Sequence, residues 1–198
     1  MPLTKKEAMD IAFIINPKFD EVLKQYDFEK YPPKRYQDFK DAFSSLSPLN
    51  NQISDSLLWK WGHWGKKNYP QHHKNLINEV SMHWGRFVEA TAVANPLDTF
   101  EWWNDQLDRT TTYITAAFIT HLVHHHKKFP IIDQHNYRAM NFFKSKVRSA
   151  HCYKKKPSNW EDIQSLKQFM ETLLKELPDR GFGELDKFLM IYGKSLPR

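Results

Sequence analysis

The sequence predicts an all-α fold, a compact bundle of about ten short helices. Apolar residues recur along most of the chain at the i, i+3, i+4 spacing of amphipathic helices. No run of alternating β-branched residues competes with this spacing, and neither Asn-Gly nor Asp-Gly, the strongest hairpin signals, occurs. The 198 residues are 40% hydrophobic and 15% aromatic, which is enough to bury a core, so disorder is excluded as the main state.

The helices of the N-terminal half follow from caps and apolar spacing. Thr4 and Glu7 have the spacing of a capping box and Pro17 follows, so the first helix is predicted over about residues 5–15. After it we predict three short helices, followed by two separate turn-rich segments and by a helix that opens at Pro96. The apolar stripes of these six elements begin at Phe19, Tyr36, Leu57, Leu76, Trp84 and Leu97.

The C-terminal half is predicted to contain four more helices. A closely packed helix is expected to end before Pro130, and a new one starts at Asp133. Ser158, with Glu161 at the capping-box position, starts a long late helix. A last helix follows the glycine-containing turn at 179–183.

Charge and cysteine content narrow the class of partner and the compartment. The chain has 29 Lys and Arg against 23 Asp and Glu, a net charge of +6, which favours an acidic polymer as partner. The single cysteine, Cys152, excludes an internal disulfide framework and a cysteine-rich zinc module. No apolar run is long enough for a signal peptide or a membrane span, so we expect a soluble, cytoplasmic protein.

Aromatic and basic residues alternate over residues 59–74, which read WKWGHWGKKNYPQHHK. Aromatic rings stack on unpaired bases while lysines neutralise phosphates, so this alternation is typical of a nucleic-acid surface or a base pocket. It is equally compatible with two tryptophans that anchor a helix end in the core beside solvated lysines. The residues concerned are Trp59, Lys60, Trp61, His63, Trp64, Lys66, Lys67 and Tyr69.

A second basic cluster flanks Cys152, in a predicted helix end and loop. Lysines in loops are usually only exposed, but together with the first cluster they support an acidic polymer as partner. The cluster consists of Lys144, Lys146, Arg148, Lys154, Lys155 and Lys156.

The most informative stretch is residues 110–140, where Asp133 follows the apolar residues Phe129, Ile131 and Ile132. This order places a carboxylate at a helix N-terminus beside hydrophobic walls. Such an aspartate is most often an ordinary N-cap that accepts an amide hydrogen bond.

The run Ile-Asp-Gln-His-Asn-Tyr-Arg at 132–138 resembles the V-D-T-H-V-x-R signature of the helix-hairpin-helix DNA glycosylase superfamily. Thr115 and Ala116 match the T-A pair of that family, eighteen residues before Asp133. The segment from Gly183 to Lys194 resembles the closing helix of some members. The resemblance is sharp over about thirty residues and implies a glycosylase-like architecture over residues 1–198, as one unit or as two lobes with an active-site cleft between them.

The resemblance implies that Asp133 is catalytic and that DNA is the partner. A fixed carboxylate would stabilise the positive charge that develops on the deoxyribose when the N-glycosidic bond breaks. The target base must leave the stack and enter a pocket, for which Trp59, Trp61, His63, Trp64 and Tyr69 are the candidates. Phosphate contacts are expected from Lys60, Lys66, Lys67 and Arg138, the last of which could instead pair with Asp133.

Two departures from the family modify these expectations. No glycine occurs between Gly85 and Gly181, so Thr110, Thr111 and Thr112 stand where the phosphate-binding hairpin is glycine-rich, and the hairpin is degenerate. No lysine occurs between Lys74 and Lys127, where bifunctional members carry a nucleophile, so we expect a monofunctional enzyme without lyase activity. We expect a monomer that needs no cofactor.

Two other functions remain open at the level of the sequence. The protein could be a non-catalytic nucleic-acid-binding protein on the same scaffold. It could instead be a metal-dependent hydrolase, because His121 and His125 are one helical turn apart, but no H-E-x-x-H motif occurs and we predict no metal site. The tryptophan-rich segment suggests a specialised pocket, and a bulky modified base of the kind some phages carry would make the protein a defence factor.

Overall fold

A computed structural model describes residues 2–107, 113–149 and 156–197. These residues contain α-helices and short 3-10 helices but no β-strand, which confirms the all-α prediction. The helices are α1 (Lys5–Ile15), α2 (Phe19–Leu23), α3 (Pro33–Ser44), α4 (Asn50–Lys60), α5 (Gln71–Glu89), α6 (Pro96–Gln106), α7 (Tyr113–Val123), α8 (Gln134–Arg148), α9 (Trp160–Leu174) and α10 (Phe182–Ser195).

Several predicted helix boundaries are confirmed. The Thr4 side chain accepts from the Glu7 N–H, and the Glu7 carboxylate accepts from the Thr4 N–H, so the predicted capping box starts α1. Helix α6 opens at Pro96, and α8 begins directly after Asp133. Local capping chemistry therefore sets these helix starts, as the sequence indicates.

Two predictions about the helices are wrong. The two segments predicted beyond Pro70 are one continuous helix, α5, because Ile77, Val80, Trp84 and Phe87 form a single buried stripe across both. The N-cap of α9 is Asn159 and not Ser158, since the Asn159 side chain accepts from the Asp162 N–H at 3.1 Å.

The chain forms two compact units. The first unit comprises the chain up to Tyr26 and from Pro130 onward, and contains α1, α2, α8, α9 and α10. Helix α10 packs along α8, and α1 lies against α8 and α9. The core includes Phe19 stacked on Phe188, with ring centroids 4.8 Å apart. Burial of such large aromatic side chains is the main stabilising contribution in this unit.

The second unit, 27–129, contains α3 to α7. Helix α3 packs against α7 and α4, α4 against α5, and α6 against α7. Trp103, Phe43, Phe87 and Phe118 are buried in its core. Helix α7 is buried on every side that the structure describes apart from Ile114, which explains its run of small and apolar residues.

Candidate functional site

Asp133 is the N-cap of α8. One carboxylate oxygen, Oδ1, accepts from the backbone N–H of His135 at 2.7 Å and of Asn136 at 3.0 Å. The Asn136 side chain returns a hydrogen bond by accepting from the Asp133 N–H at 2.9 Å. The carboxylate is half-buried and its orientation is fixed by backbone donors that already point at it. The capping role expected of an aspartate here is confirmed.

Asn136 joins this cap to the last helix. The side chain is fully buried, and its amide group donates to the Ile131 carbonyl and, at 3.2 Å, to Asp186 Oδ1 of α10. Together with the bond from the Asp133 N–H, these two bonds join the loop before α8, the start of α8 and α10 into one hydrogen-bonded group. Sequence reasoning missed Asn136, although its position three residues after an N-cap aspartate is the capping-box signal.

Arg138 lies one turn further along α8 and also reaches α10. Its Nη1 donates to the Gly193 carbonyl at 3.1 Å, while its Nε is buried and has no hydrogen-bond partner among the residues that the structure describes. A guanidinium has five N–H donors, and those that are not buried can bind a phosphate or carboxylate oxygen. The predicted phosphate contact of Arg138 stays a prediction.

Trp59 is 5% exposed, so the fold places this predicted pocket residue in the core of the second unit. Its ring stacks on Tyr36, with centroids 4.9 Å apart and planes at 5°, and on Phe118 at 6.1 Å. The Trp59 Nε1 is buried, and it makes no hydrogen bond within the described ranges of the chain. For Trp59 the structure matches the interpretation that a tryptophan anchors the helix end.

The other predicted pocket residues lie in the connection between α4 and α5 and are half-buried. Trp61 stacks on His73, with centroids 4.0 Å apart, and His63 lies near both His73 and Tyr69. Trp64 contacts Phe39 edge-on, and the Arg35 guanidinium lies 5.4 Å from its ring centre. The structure thus brings Trp61 and His63 together around His73, with Tyr69 beside His63; His73 is a residue that the sequence analysis left outside the pocket.

The predicted phosphate-binding residues differ in their surroundings. Lys66 and Lys67 are exposed, whereas the Lys60 Nζ lies 5.8 Å from the Phe118 ring centre. Residues Thr110, Thr111 and Thr112, the predicted degenerate hairpin, lie outside the described residues, as do Cys152, Lys154 and Lys155.

Two cations of the second basic cluster, Lys144 and Arg148, make contacts inside the first unit. Lys144 is 8% exposed and donates to Ser165, with its Nζ 5.7 Å from the Phe169 ring centre. Arg148 forms a salt bridge of 2.7 Å with Glu7, whose pKa this hydrogen bond lowers to about 2. These two cations stabilise contacts between helices, which the positions of lysine and arginine in the sequence do not reveal.

His121 of α7 is buried and fully hydrogen-bonded. Its Nδ1 pairs with the Phe129 carbonyl and its Nε2 with the Tyr36 hydroxyl. Burial lowers the pKa of His121 to about 3, so the ring is neutral at pH 7. Because a carbonyl only accepts, Nδ1 carries the proton and Nε2 accepts from Tyr36.

A metal site at His121 and His125 would need ring nitrogens that His121 already uses within the protein. Within the described ranges, no group of three or more His, Cys, Asp or Glu side chains is arranged to hold a metal ion. Over the same ranges, no helix has the length and apolar character needed to cross a membrane.

Comparison of the chain with protein-family models, with curated proteins and with solved structures finds no match.

Proposed function

We propose that the protein is a monofunctional DNA glycosylase, which cleaves the N-glycosidic bond of a flipped damaged or modified base and leaves an abasic site. The observation that carries the proposal is Asp133, a half-buried carboxylate at the start of α8 within a run that resembles the glycosylase signature. A net charge of +6 favours a polyanion as the binding partner, which supports DNA as the substrate in this proposal.

The chemistry requires a negative group that is already in place when positive charge develops on the sugar. Two backbone N–H groups hold Asp133 Oδ1, so the carboxylate does not reorganise during the reaction. The proposed step breaks the bond between C1′ and the base nitrogen, and the electron pair of that bond leaves with the base. The oxygen of a water molecule bonds to C1′, and one proton of that water passes through solvent to the departing base. Asp133 would stabilise the cationic sugar or orient that water.

The aromatic residues after α4 supply stacking partners for a base outside the duplex. Trp61, Trp64 and Tyr69 keep part of their surface exposed, and His63 contributes a polar edge beside Tyr69. Stacking together with edge hydrogen bonds is how flipped bases are held. In this proposal the aromatic residues of the second unit stack on an unpaired base of the bound DNA, and a modified base in anti-phage defence is one candidate substrate.

A non-catalytic nucleic-acid-binding protein is the second candidate, and the capping geometry is the observation in its favour. An N-cap aspartate stabilises its helix by about 1 kcal/mol without any catalytic role. If Asp133 serves only folding, the basic and aromatic surface would still bind nucleic acid.

The test is release of free base, detected by mass spectrometry, from genomic DNA of varied sources including phage DNA with modified cytosines, in the presence of a chelator. The Asp133→Asn and Asp133→Ser variants both keep a good N-cap and lose the charge. We expect each to reduce base release by on the order of 100-fold or more, with DNA binding and thermal stability close to wild type.

The matched control is Asp10→Asn, which removes one exposed carboxylate from the same unit and should leave base release unchanged. Full activity of Asp133→Asn would remove the aspartate from the mechanism. Salt-dependent DNA binding by the wild type without release of any base would favour the non-catalytic candidate, and activity that chelator abolishes would favour a metal-dependent hydrolase.

A further inference from the structure

The turn after α4 and the start of α5 form a surface that we call the Trp61 cluster, composed of Trp61, His63, Tyr69 and His73. Trp61 and His73 stack with planes at 13°, and the His63 ring lies 5.1 Å from the His73 ring. All four side chains are half-buried, so each keeps part of its surface in solvent. Rings that are fixed against one another lose little conformational freedom when a further flat group stacks on them.

Two lysines bring positive charge to this cluster. Gly62 has a φ of +69°, and a Cβ there would meet the end of the Lys30 side chain, with Nζ at 2.9 Å. The Lys30 ammonium therefore lies directly over the turn. Lys66 is exposed, and its backbone N–H donates to the His63 carbonyl at 3.0 Å, which fixes its main chain beside His63. Its charge lowers the pKa of His63, so the ammonium acts on that ring.

The electrostatic environment of the cluster is positive. Burial lowers the pKa of His63, and the charges of Lys66, Lys30 and His72 lower it further. Burial also lowers the pKa of His73, to about 4. Both rings are therefore neutral at pH 7, and the positive charges that act on His63 are those of Lys66, Lys30 and His72.

The hydrogen-bonding capacity of the two histidines is incompletely used. The Nδ1 atoms of His63 and His73 are buried and make no hydrogen bond to any part of the chain that the structure describes. Buried polar atoms are normally paired, so two unpaired ring nitrogens in one cluster are hydrogen-bonding capacity that the described part of the fold does not use.

We propose that the Trp61 cluster, together with Lys30 and Lys66, is a binding site for an unpaired nucleotide of single-stranded DNA. The base stacks on the aromatic surface and the phosphate lies against the two ammonium groups. A base inside a duplex is covered on both faces by its neighbours, so only an unpaired one offers the face that such a site needs. The proposal rests on the proposed function in one respect, that DNA is the partner.

The first experiment compares two labelled single strands of equal charge by fluorescence anisotropy: a twelve-nucleotide oligothymidylate, and a twelve-unit abasic deoxyribose phosphate. We expect wild-type protein to bind the oligothymidylate at least about tenfold more tightly, because only that strand can stack. A duplex of the same length should bind more weakly than the oligothymidylate. Equal affinity for the abasic strand, or tighter binding of the duplex, would overturn the proposal.

Variants locate the site. Trp61→Leu should weaken oligothymidylate binding by about tenfold and leave abasic-strand binding unchanged. The matched control, Trp102→Leu, changes a half-buried tryptophan of α6 that packs on Phe87 outside the cluster. Equal losses in both variants would assign the effect to folding and contradict the proposed site.

The lysines are tested by salt dependence. Lys30→Gln with Lys66→Gln should weaken binding of both strands and reduce the slope of log affinity against log salt, by about 0.7 for each lost phosphate contact. The exposed Lys34→Gln is the control and should leave the slope unchanged. Base release without this single-strand preference would contradict the present proposal alone, whereas single-strand binding without base release would contradict the proposed function alone.

Discussion

His121 shows how burial decides the chemistry of a single residue. The ring lies parallel to Tyr36 and Phe118, and both of its nitrogens are used in hydrogen bonds within the second unit. The cost of burying a charge keeps the ring neutral, with a pKa of about 3 against an ordinary value of 6.5. His124 is also buried, bonded to Thr99 at 2.8 Å, with a pKa lowered by burial to about 4.

These two histidines predict acid lability. Below pH 6.5 they take up protons in the unfolded chain while the folded protein keeps them neutral, so the free energy of unfolding decreases as pH falls from about 6.5 towards 4. Each unit of pH in that window costs up to about 1.4 kcal/mol for each histidine. Above pH 7 their contribution does not change. Urea unfolding between pH 7.5 and 4.5 measures this dependence.

A substitution separates the histidines from the other titrating groups. His124→Gln should reduce the loss of stability between pH 7.5 and 4.5, because glutamine cannot take up a proton in the unfolded chain. An unaltered pH profile in His124→Gln would show that this residue is not responsible.

At the scale of elements, the contact between α8 and α10 supports the candidate site. Gly193 of α10 is buried where α10 passes the first turn of α8, and a Cβ there would overlap the His135 backbone carbonyl. The same crossing carries the hydrogen bonds from Arg138 to Gly193 and from Asn136 to Asp186. Helix α10 therefore supports the turn whose N–H groups hold the Asp133 carboxylate.

Gly193→Ala should accordingly be strongly destabilising, by about 2 kcal/mol or more, because backbone atoms cannot move aside as a flexible side chain can. Gly183→Ala on the same helix is the control, since a Cβ there meets nothing within 4 Å. That control should be neutral or stabilising by about 0.5 kcal/mol. Thermal unfolding of both variants measures the difference, and equal stabilities would contradict the close approach.

The helices also show where local signals suffice. The caps at Thr4 and Asp133 were predictable because a capping bond joins residues only two or three positions apart. The continuity of α5 was missed although the signal is local, because Ile77, Val80, Trp84 and Phe87 already follow one another at helical spacing in the sequence. The N-cap of α9 is Asn159 and not the predicted Ser158, because serine and asparagine are neighbours here and cap a helix almost equally well.

At the scale of the whole molecule, the excess of positive charge predicts salt-dependent DNA binding. Affinity should fall linearly on a plot of log affinity against log salt concentration as counterions return to the DNA. Replacing Lys66 and Lys67 with glutamine should reduce the slope by about 1 for each lysine that contacts a phosphate.

The control for that measurement is the pair Lys5 and Lys6, which are also adjacent and exposed but belong to the first unit. The double variants carry the same net charge, so a difference between them reports location and not total charge. Equal slopes for both double variants would exclude Lys66 and Lys67 as specific DNA contacts.

The sequence by itself determined the helical class, most helix starts, the net charge and the position of Asp133 at a helix N-terminus. Each of these depends on spacing, composition or bonds within a few residues. Tertiary structure alone decided that Arg148 pairs with Glu7, 141 positions away, that His121 is buried and neutral, and that His73 joins the aromatic residues after α4. These outcomes depend on which helix faces pack together, because packing determines which polar groups lose water and must find partners in the fold.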